Sequence, residues 1–449
     1  MSSWRDRVAA RAYDAVVVGS GPNGLAAALT LARAQKSVLV LEAAPTIGGG
    51  TRTAELTLPG FRHDVCSAIL PLAVGSPFFK TVPLAEHGVE WIHPPLPVAH
   101  PLDDGTAGVL ARSIDETVDA LGPDGAAWRR LFGPLVAGWD AIAPALLGPV
   151  LRVPPHPLRM ASFGMRAVWP AATLARRLFR TERARGLFAG LAAHAILPLE
   201  DPLTAAFGLV LGMTGHAVGW PLPRGGSQAV SDALAALVRA QGGEIVTGAP
   251  VASLTDLPAS RVTLFDVTPR QLVAIAGDRL PARYRRRLER YRYGPGVFKV
   301  DAALDGPIPW KAADCGRAGT VHLGGTLGEI AAAEAAVWRG EHPQRPFVLV
   351  AQQSLFDPTR APAGKHTLWA YCHVPNGSTV DMTDRILGQV ERFAPGLRDR
   401  ILAVATHGPA ALERQNANYI GGDIGGGANV VDQMIGRPAW RLDPYATPA

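Results

Sequence analysis

The sequence predicts an α/β fold with more than one domain. A chain of 449 residues exceeds what one hydrophobic core usually serves. Near its start, a β-branched strand (13–18), an Ala/Leu-rich helix (25–34) and a second apolar strand (37–41) form a βαβ unit. Segments 347–352 and 367–373 alternate like paired strands. We therefore expect a parallel-sheet domain and a substrate domain of mixed or antiparallel sheet plus helices.

The middle of the chain is mostly helical and apolar. From about 115 to 211 the helical pattern is broken only by Pro-rich pieces such as 153–157, which predicts a helical insertion over a substrate site. Residues 228–241 predict another helix, which Gly242 and Gly243 end. Residues 244–247 then predict a strand.

The composition is that of a globular, intracellular protein. Hydrophobic residues make up 48% of the chain and charged residues 18%, which is too apolar for a disordered chain. The three cysteines include no C-x-x-C pair, so a disulfide framework is not expected and a reducing compartment is. No apolar signal core precedes the first strand. We expect a cytoplasmic protein.

The net charge of +6 raises the question of an anionic partner. The densest basic stretch, 283–292, predicts a solvated helix face, and no nucleic-acid module accompanies it, so we expect no nucleic-acid partner. Peripheral membrane contact stays open, because apolar helices adjoin Arg166, Arg176, Arg177 and Arg180.

One uncharged segment, 203–223, is long enough to cross a membrane. Glycines and prolines interrupt it repeatedly, from Gly208 to Pro223. The sequence therefore predicts a buried helix followed by a turn.

A glycine-rich motif joins the first strand to the first helix. It has the form G-x-G-x-x-G, and a carboxylate, Glu42, follows at the end of the next strand. This arrangement binds a dinucleotide: the glycines permit a tight turn and close backbone approach, and the helix N-terminus attracts the pyrophosphate. Glu42 would accept from the ribose hydroxyls and repel a 2′-phosphate. The motif residues are Gly19, Ser20, Gly21, Pro22, Asn23 and Gly24.

A second glycine cluster favours FAD over NAD. It follows Glu42 and Ala43 closely and lets backbone approach an extended cofactor again, while Arg52 could neutralise the pyrophosphate. No second G-x-G-x-x-G is present for a separate NAD domain. The residues of this part of the predicted site are Gly49, Gly50, Thr51 and Arg52, after Gly48.

Other chemistries find little support in the sequence. No cysteine pair follows Glu42, which argues against dithiol–disulfide reduction. H-E-x-x-H, G-x-S-x-G and P-loop motifs are absent. His366 and His373 are seven apart on a predicted strand and so face opposite sides. No metal site is expected.

Taken together, these motifs resemble those of the phytoene-desaturase-like flavoproteins, and among them the branch named for a pyridine nucleotide-disulphide oxidoreductase domain. The likeness covers nearly the whole chain. It rests on VVGSGPNG (17–24), LPGFRHD (58–64), PRGG (223–226), FDVTP (265–269) and NYIGGDI (418–424).

The resemblance implies a discontinuous, Rossmann-like FAD domain, at 1–75 and 221–275, and a substrate or cap domain at 76–220 and 276–449. It also implies that the backbone of Val251 contacts the adenine. Members of the family continue past a stretch like Arg441 to Tyr445 with a glycine-rich strand and helix that contact the flavin. We therefore expect a fragment or a truncated product, or a partner chain that supplies this segment.

The expected function is that of an FAD-dependent oxidoreductase that takes hydride from an apolar small molecule. Oxygen, a quinone or another carrier would then accept the electrons. Two alternatives stay open: a carotenoid or isoprenoid desaturase at a membrane surface, and a non-catalytic flavin- or partner-binding protein. Candidate catalytic residues are His63, His216, Trp220 and Tyr419, although such side chains more often serve packing.

Overall fold

The computed structural model describes residues 4–9, 11–148, 153–440 and 445–447. The stretch singled out at 441–445 therefore lies almost entirely outside the described residues. The strands are β1 (Tyr13–Val18), β2 (Val38–Leu41), β3 (Thr53–Glu55), β4 (Arg62–Asp64), β5 (Trp91–Ile92), β6 (Leu96–Pro101), β7 (Ala107–Leu110), β8 (Leu222–Pro223), β9 (Glu244–Val246), β10 (Ser260–Phe265), β11 (Gly296–Leu304), β12 (Ala318–Leu323), β13 (Val348–Ala351), β14 (His366–Val374) and β15 (Ile401–His407).

The α-helices fall mainly between β7 and β8 and after β10. They are α1 (Trp4–Ala9), α2 (Pro22–Arg33), α3 (Pro71–Gly75), α4 (Ile114–Leu121), α5 (Gly125–Ala137), α6 (Trp139–Leu146), α7 (Pro157–Ala167), α8 (Ala171–Leu178), α9 (Glu182–Ala192), α10 (Thr204–Ala217), α11 (Gln228–Ala240), α12 (Pro269–Ala276), α13 (Ala282–Glu289), α14 (Leu327–Trp338), α15 (Thr383–Phe393), α16 (Pro409–Gln415) and α17 (Val431–Ile435).

A parallel four-stranded sheet, in the order β10-β1-β2-β9, is built from two distant parts of the chain. Its two central strands are continuous apolar runs because both faces are covered. On one face, Val17 and Val40 pack against α2 and α11; on the other, Val16 and Leu39 pack in a cluster that includes Val8 of α1. This buried sheet fixes the position of the loop that follows β1.

A seven-stranded sheet has the order β15-β11-β14-β13-β12-β6-β7. Its β12–β6 pair is parallel and its other pairs are antiparallel. One face is apolar and packs on α15. The opposite face lies under α5, α9 and α10 and carries a polar row: in register, His407 pairs with Lys299, Lys299 with Tyr371, Tyr371 with Leu349, and Leu349 with His322.

The predicted α/β fold class is confirmed by these sheets. The expected elements near the N-terminus agree to within three residues at each end, and β13 and β14 pair antiparallel as expected. The segment 203–223 forms the buried helix α10, and within the described ranges no helix has the length and apolarity needed to cross a membrane. The domain boundaries stay a prediction.

Candidate functional site

The loop after β1 has the geometry of a dinucleotide cradle. Gly19 has a φ of +105°, which an L side chain rarely adopts. At Gly24 a Cβ would lie 2.3 Å from the carbonyl oxygen of Gly19, so only glycine lets α2 start this close to the strand. Helix α2 begins at Pro22, and the exposed Asn23 follows it at the end of the helix that attracts anions.

The carboxyl group of the residue after β10 lies against this helix end. The amide of Gly24 donates to Asp266 Oδ2 at 3.0 Å, and the Asp266 amide donates to Val18 O at 2.8 Å. Burial, together with the charge of Glu42, raises the pKa of Asp266. Asp266 belongs to the FDVTP motif (265–269) that carries the family resemblance, and it was not among the predicted site residues.

Both carboxylate oxygens of Glu42 accept hydrogen bonds. Ser20 donates to Oε2 from its amide at 3.0 Å and from its hydroxyl at 2.6 Å. Ala44 N donates to Oε1 at 2.8 Å, and Arg52 Nη2 does so at 3.3 Å. Because a carboxylate has about four lone-pair sites, a ribose would have to share or displace one of these donors. The Ser20 hydroxyl and the Arg52 guanidinium are the movable ones.

Arg52 lies beside Glu42. It donates to the carbonyls of Thr46 and Gln415 as well as to Glu42. The contact of the Arg52 guanidinium with the cofactor's pyrophosphate stays a prediction. The loop that carries Val251 is fixed to the same strand end, since Gly248 N donates to Ala44 O and Ala249 N to Glu42 O.

The two glycine clusters contact each other. Gly48 N donates to Ser20 O at 3.0 Å, and a Cβ on Gly49 would lie 3.1 Å from Gly21 Cα. Thr51 Oγ1 bonds the carbonyl of Gly48 at 2.7 Å. Backbone from both clusters thus lies side by side, and its glycines fit the close approach of an adenine dinucleotide.

Tyr419 closes the far side of the second cluster. A Cβ on Gly50 would lie 2.3 Å from the Tyr419 hydroxyl oxygen. Burial, together with the neighbouring Cys66, raises the pKa of the phenol. Ser67 N donates to Gly50 O at 2.9 Å, so the segment after β4 lies directly beside this cluster.

His63, on β4, belongs to a buried charged group. Its Nδ1 lies 3.5 Å from Asp301 Oδ1, and Asp301 Oδ2 forms an ion pair with Lys299. Lys299 Nζ also lies 5.7 Å from the centre of the Trp369 ring. Burial alone would raise the pKa of Asp301, but Lys299 and His63 outweigh it and lower that pKa. Neither Lys299 nor Asp301 was among the sequence candidates.

Trp220 lies at a second polar cluster, between the helical cap and the sheet. Its ring centre is 5.7 Å from that of His194 and 5.9 Å from that of His322, and the two imidazole Nε2 atoms are 3.1 Å apart. Gly190 of α9 makes room for His322, since a Cβ there would lie 2.8 Å from His322 Nδ1. Burial lowers the pKa of His194 to about 3.

A buried acid and histidine on the same sheet face form a further pair. His373 Nδ1 lies 2.8 Å from Glu334 Oε2, and its Nε2 has no hydrogen-bond partner among the described residues. The sequence had placed His373 on a predicted strand and had not indicated this pair. The carboxylate partner comes from α14, 39 residues away, which no local pattern could indicate.

His216 lies in the core of the helical cap. Its Nε2 accepts from Trp128 Nε1 at 2.9 Å, and Phe132 is stacked edge-on at 6.0 Å. Burial lowers the pKa of His216 to about 4, so the ring is neutral near pH 7. This geometry gives His216 a packing and hydrogen-bonding role.

The described residues contain no group of three His, Cys, Asp or Glu side chains placed to hold a metal ion. All three cysteines are buried and free.

Comparisons with known proteins agree with this geometry. Residues 17–80 match the model of the NAD(P)-binding Rossmann-like domain family. The chain is 26% identical to the mouse (Mus musculus) pyridine nucleotide-disulfide oxidoreductase domain-containing protein 2, covering 97% of this chain and 88% of that protein. It is 30% identical to the hydroxyneurosporene desaturase of Cereibacter sphaeroides over 53% of this chain and 50% of that one.

A similar fold occurs in a solved oxidoreductase from Methanosarcina mazei. The TM-score is 0.60 at 19% identity, covering 88% of this chain and 87% of that one. The cradle, the order of its sheet and the near full-length likeness to the mouse protein lead to one conclusion. The chain is a homologue of pyridine nucleotide-disulfide oxidoreductase domain-containing protein 2 and carries a Rossmann-like dinucleotide-binding domain.

Proposed function

We propose that this chain uses FAD to oxidise an apolar small molecule by removing hydride from a C–H bond. The observation that carries the proposal is the pairing of a glycine cradle with an apolar helical cap over a polar sheet face. When bound, FAD supplies the electron-accepting chemistry, and oxygen, a quinone or another carrier takes the electrons onward.

The apolar cap supports the choice of substrate. The helices above the seven-stranded sheet are packed with large side chains, among them Trp128, Phe132 and Phe188, all fully buried. A substrate held under these helices would be shielded from water, which favours hydride transfer over side reactions. Charged substrates would lose their hydration there without an exposed counter-charge.

The Lys299–Asp301–His63 group supports a role in proton handling. Desaturation releases a proton from the carbon next to the one that gives up hydride. These three side chains are buried next to the strand pair β3–β4, which directly follows the second glycine cluster. They are therefore able to hold or exchange a proton there, whereas His216 serves the packing of the cap.

Anaerobic reduction of the bound flavin tests this proposal. Candidate apolar substrates are added to the purified protein without NAD(P)H, and bleaching of the visible flavin band is followed. The proposal expects bleaching by an oxidisable substrate. A flavin that only NAD(P)H reduces would contradict it.

A second candidate function is desaturation of an isoprenoid hydrocarbon. It is favoured by the likeness to a hydroxyneurosporene desaturase, at 30% identity over half of the chain. The two candidate functions are separated by giving the protein acyclic polyenes or saturated hydrocarbons of equal length. A desaturase introduces double bonds into its substrate, which mass spectrometry detects. If no substrate reduces a flavin that is tightly bound, the remaining alternative is a non-catalytic flavin- or partner-binding protein.

A further inference from the structure

One stretch of the cap carries the whole net charge of the protein. Residues 141–181 contain six arginines and no aspartate or glutamate. The chain has 44 basic and 38 acidic residues in total, so the rest of it holds 38 of each and is neutral. The arginines are Arg152, Arg159, Arg166, Arg176, Arg177 and Arg180, of which Arg152 lies outside the described residues.

The same stretch exposes the most apolar surface. Val153 is 91% exposed, Leu158 is 86% and Met165 is 67%, and Leu147 and Val168 are also exposed. Leu158 and Met165 are seven residues apart on α7, so they share one side of the helix. The opposite side packs inward through Phe163 and Ala167. A solvent-facing cluster of this kind marks an interaction site.

The five described guanidinium groups of this stretch lack acidic partners within the part of the chain that the structure describes. Among the described residues, no carboxylate lies within 4.0 Å of Arg159, Arg166, Arg176, Arg177 or Arg180, although arginines elsewhere pair often. Arg166 bonds Ser162 on its own helix, and Arg177 lies 4.7 Å from the centre of the Trp169 ring. Their positive charge is therefore available to an outside anion.

We propose that residues 153–180, which include α7 and α8, form a docking surface for an anionic lipid bilayer. Exposed leucine, methionine and valine next to unpaired arginine on short helices is the pattern of an interfacial segment, whose apolar side chains enter the headgroup layer. Its arginines attract the negatively charged headgroups. An acidic protein surface would complement the arginines but not the exposed apolar side chains. A bilayer fits both the positive charge and the apolar side chains, so it is the partner proposed.

Vesicle cosedimentation of the full chain tests this surface. The protein is mixed with vesicles of phosphatidylcholine alone, or with added phosphatidylglycerol, at low and high salt. We expect binding to the anionic vesicles that weakens as salt rises. Since each arginine near such a surface contributes about fivefold in affinity, R159Q/R176Q/R180Q is expected to bind at least tenfold more weakly.

Two further variants separate the effect of this surface from that of net charge alone. R283Q/R286Q/R290Q removes the same number of charges from exposed positions of α13 and the residue after it, and is expected to bind like the wild type. L158S/M165S keeps the charge and is expected to bind several-fold more weakly. Circular dichroism verifies that each variant is folded.

Three results would overturn the proposal. One is absence of binding to anionic vesicles at low salt. Another is an equal loss in the α13 variant, which would indicate general attraction by net charge. The third is a dimer in light scattering that L158S/M165S abolishes while vesicles do not bind, because a second copy would then be the occupant.

Discussion

The amide of Gly24 donates a hydrogen bond to the carboxyl group of Asp266 at 3.0 Å, across 242 residues of sequence. A carboxyl oxygen thus lies at the N-terminus of α2, where the phosphates of a dinucleotide are expected to bind. The contact ties the first turn of α2 to the residue that follows β10. It also places a titratable group where it can oppose an incoming anion.

Replacement of this acid by its amide is expected to strengthen cofactor binding. Asp266→Asn keeps an acceptor for Gly24 and removes the charge, so we expect the dissociation constant for FAD to fall several-fold at neutral pH. Because the folded protein raises the pKa above its ordinary value of 3.8, the protonated acid is the form that favours folding. The stability of the wild type relative to Asp266→Asn should therefore fall as pH rises above about 4. Urea unfolding at several pH values checks this, and a constant difference would contradict it.

Gly24→Ala should damage the cradle directly. The new Cβ would lie 2.3 Å from a backbone oxygen, so the helix must shift, at a cost of about 1–3 kcal/mol. FAD affinity should fall more than tenfold. The control is Gly388→Ala, inside α15, where a Cβ meets nothing within 4 Å; alanine there should be neutral or stabilising by up to about 1 kcal/mol. Fluorescence titration with FAD measures both variants, and equal affinities would be inconsistent with the cradle.

Lys299 and Asp301 should behave as a coupled pair. Both are buried, so Lys299→Met leaves an uncompensated carboxylate and should cost about 3–5 kcal/mol. Asp301→Asn should cost a similar amount. The double variant should recover part of the loss, which a double-mutant cycle of urea unfolding detects. Strictly additive losses would mean that the two groups act independently.

His216 should contribute to acid sensitivity. Its pKa falls from 6.5 in the unfolded chain to about 4 in the folded one, so the neutral ring favours folding. That contribution, at most roughly 3 kcal/mol, is present above pH 6.5 and is lost as pH falls toward about 4. His216→Gln retains an acceptor for Trp128 and should unfold with a flatter pH dependence. Thermal melts of both proteins across this range measure it, and identical pH profiles would argue against the assignment.

Local patterns in the sequence were sufficient for the cradle. The valine run of β1, the glycines that follow it and Glu42 at the end of β2 all lie within 30 residues, and each has a physical requirement that its residue type meets. The helix α10 was also predictable, because the glycines within it and the prolines after it argue against a membrane span, while its apolar length requires burial.

The buried clusters could not be predicted in this way. Asp266, which contacts Gly24 of the cradle, lies more than 240 residues further along the chain. Glu334, which contacts His373 of β14, comes from helix α14. Strand β11 was missed because its Lys299 and Asp301 break the apolar pattern. Only the pairing of β11 with β14 and β15 shows that these side chains share a buried face with Tyr371. The residues of the cofactor and catalytic sites, and any completing partner chain, stay predictions.

Identification of the cofactor released from the purified protein tests the central claim most directly. The account predicts a yellow protein that releases FAD on denaturation, and a Glu42→Gln variant that retains its fold but binds FAD at least tenfold more weakly. A folded, colourless wild type that FAD cannot reconstitute, or one that releases NADP, would contradict it.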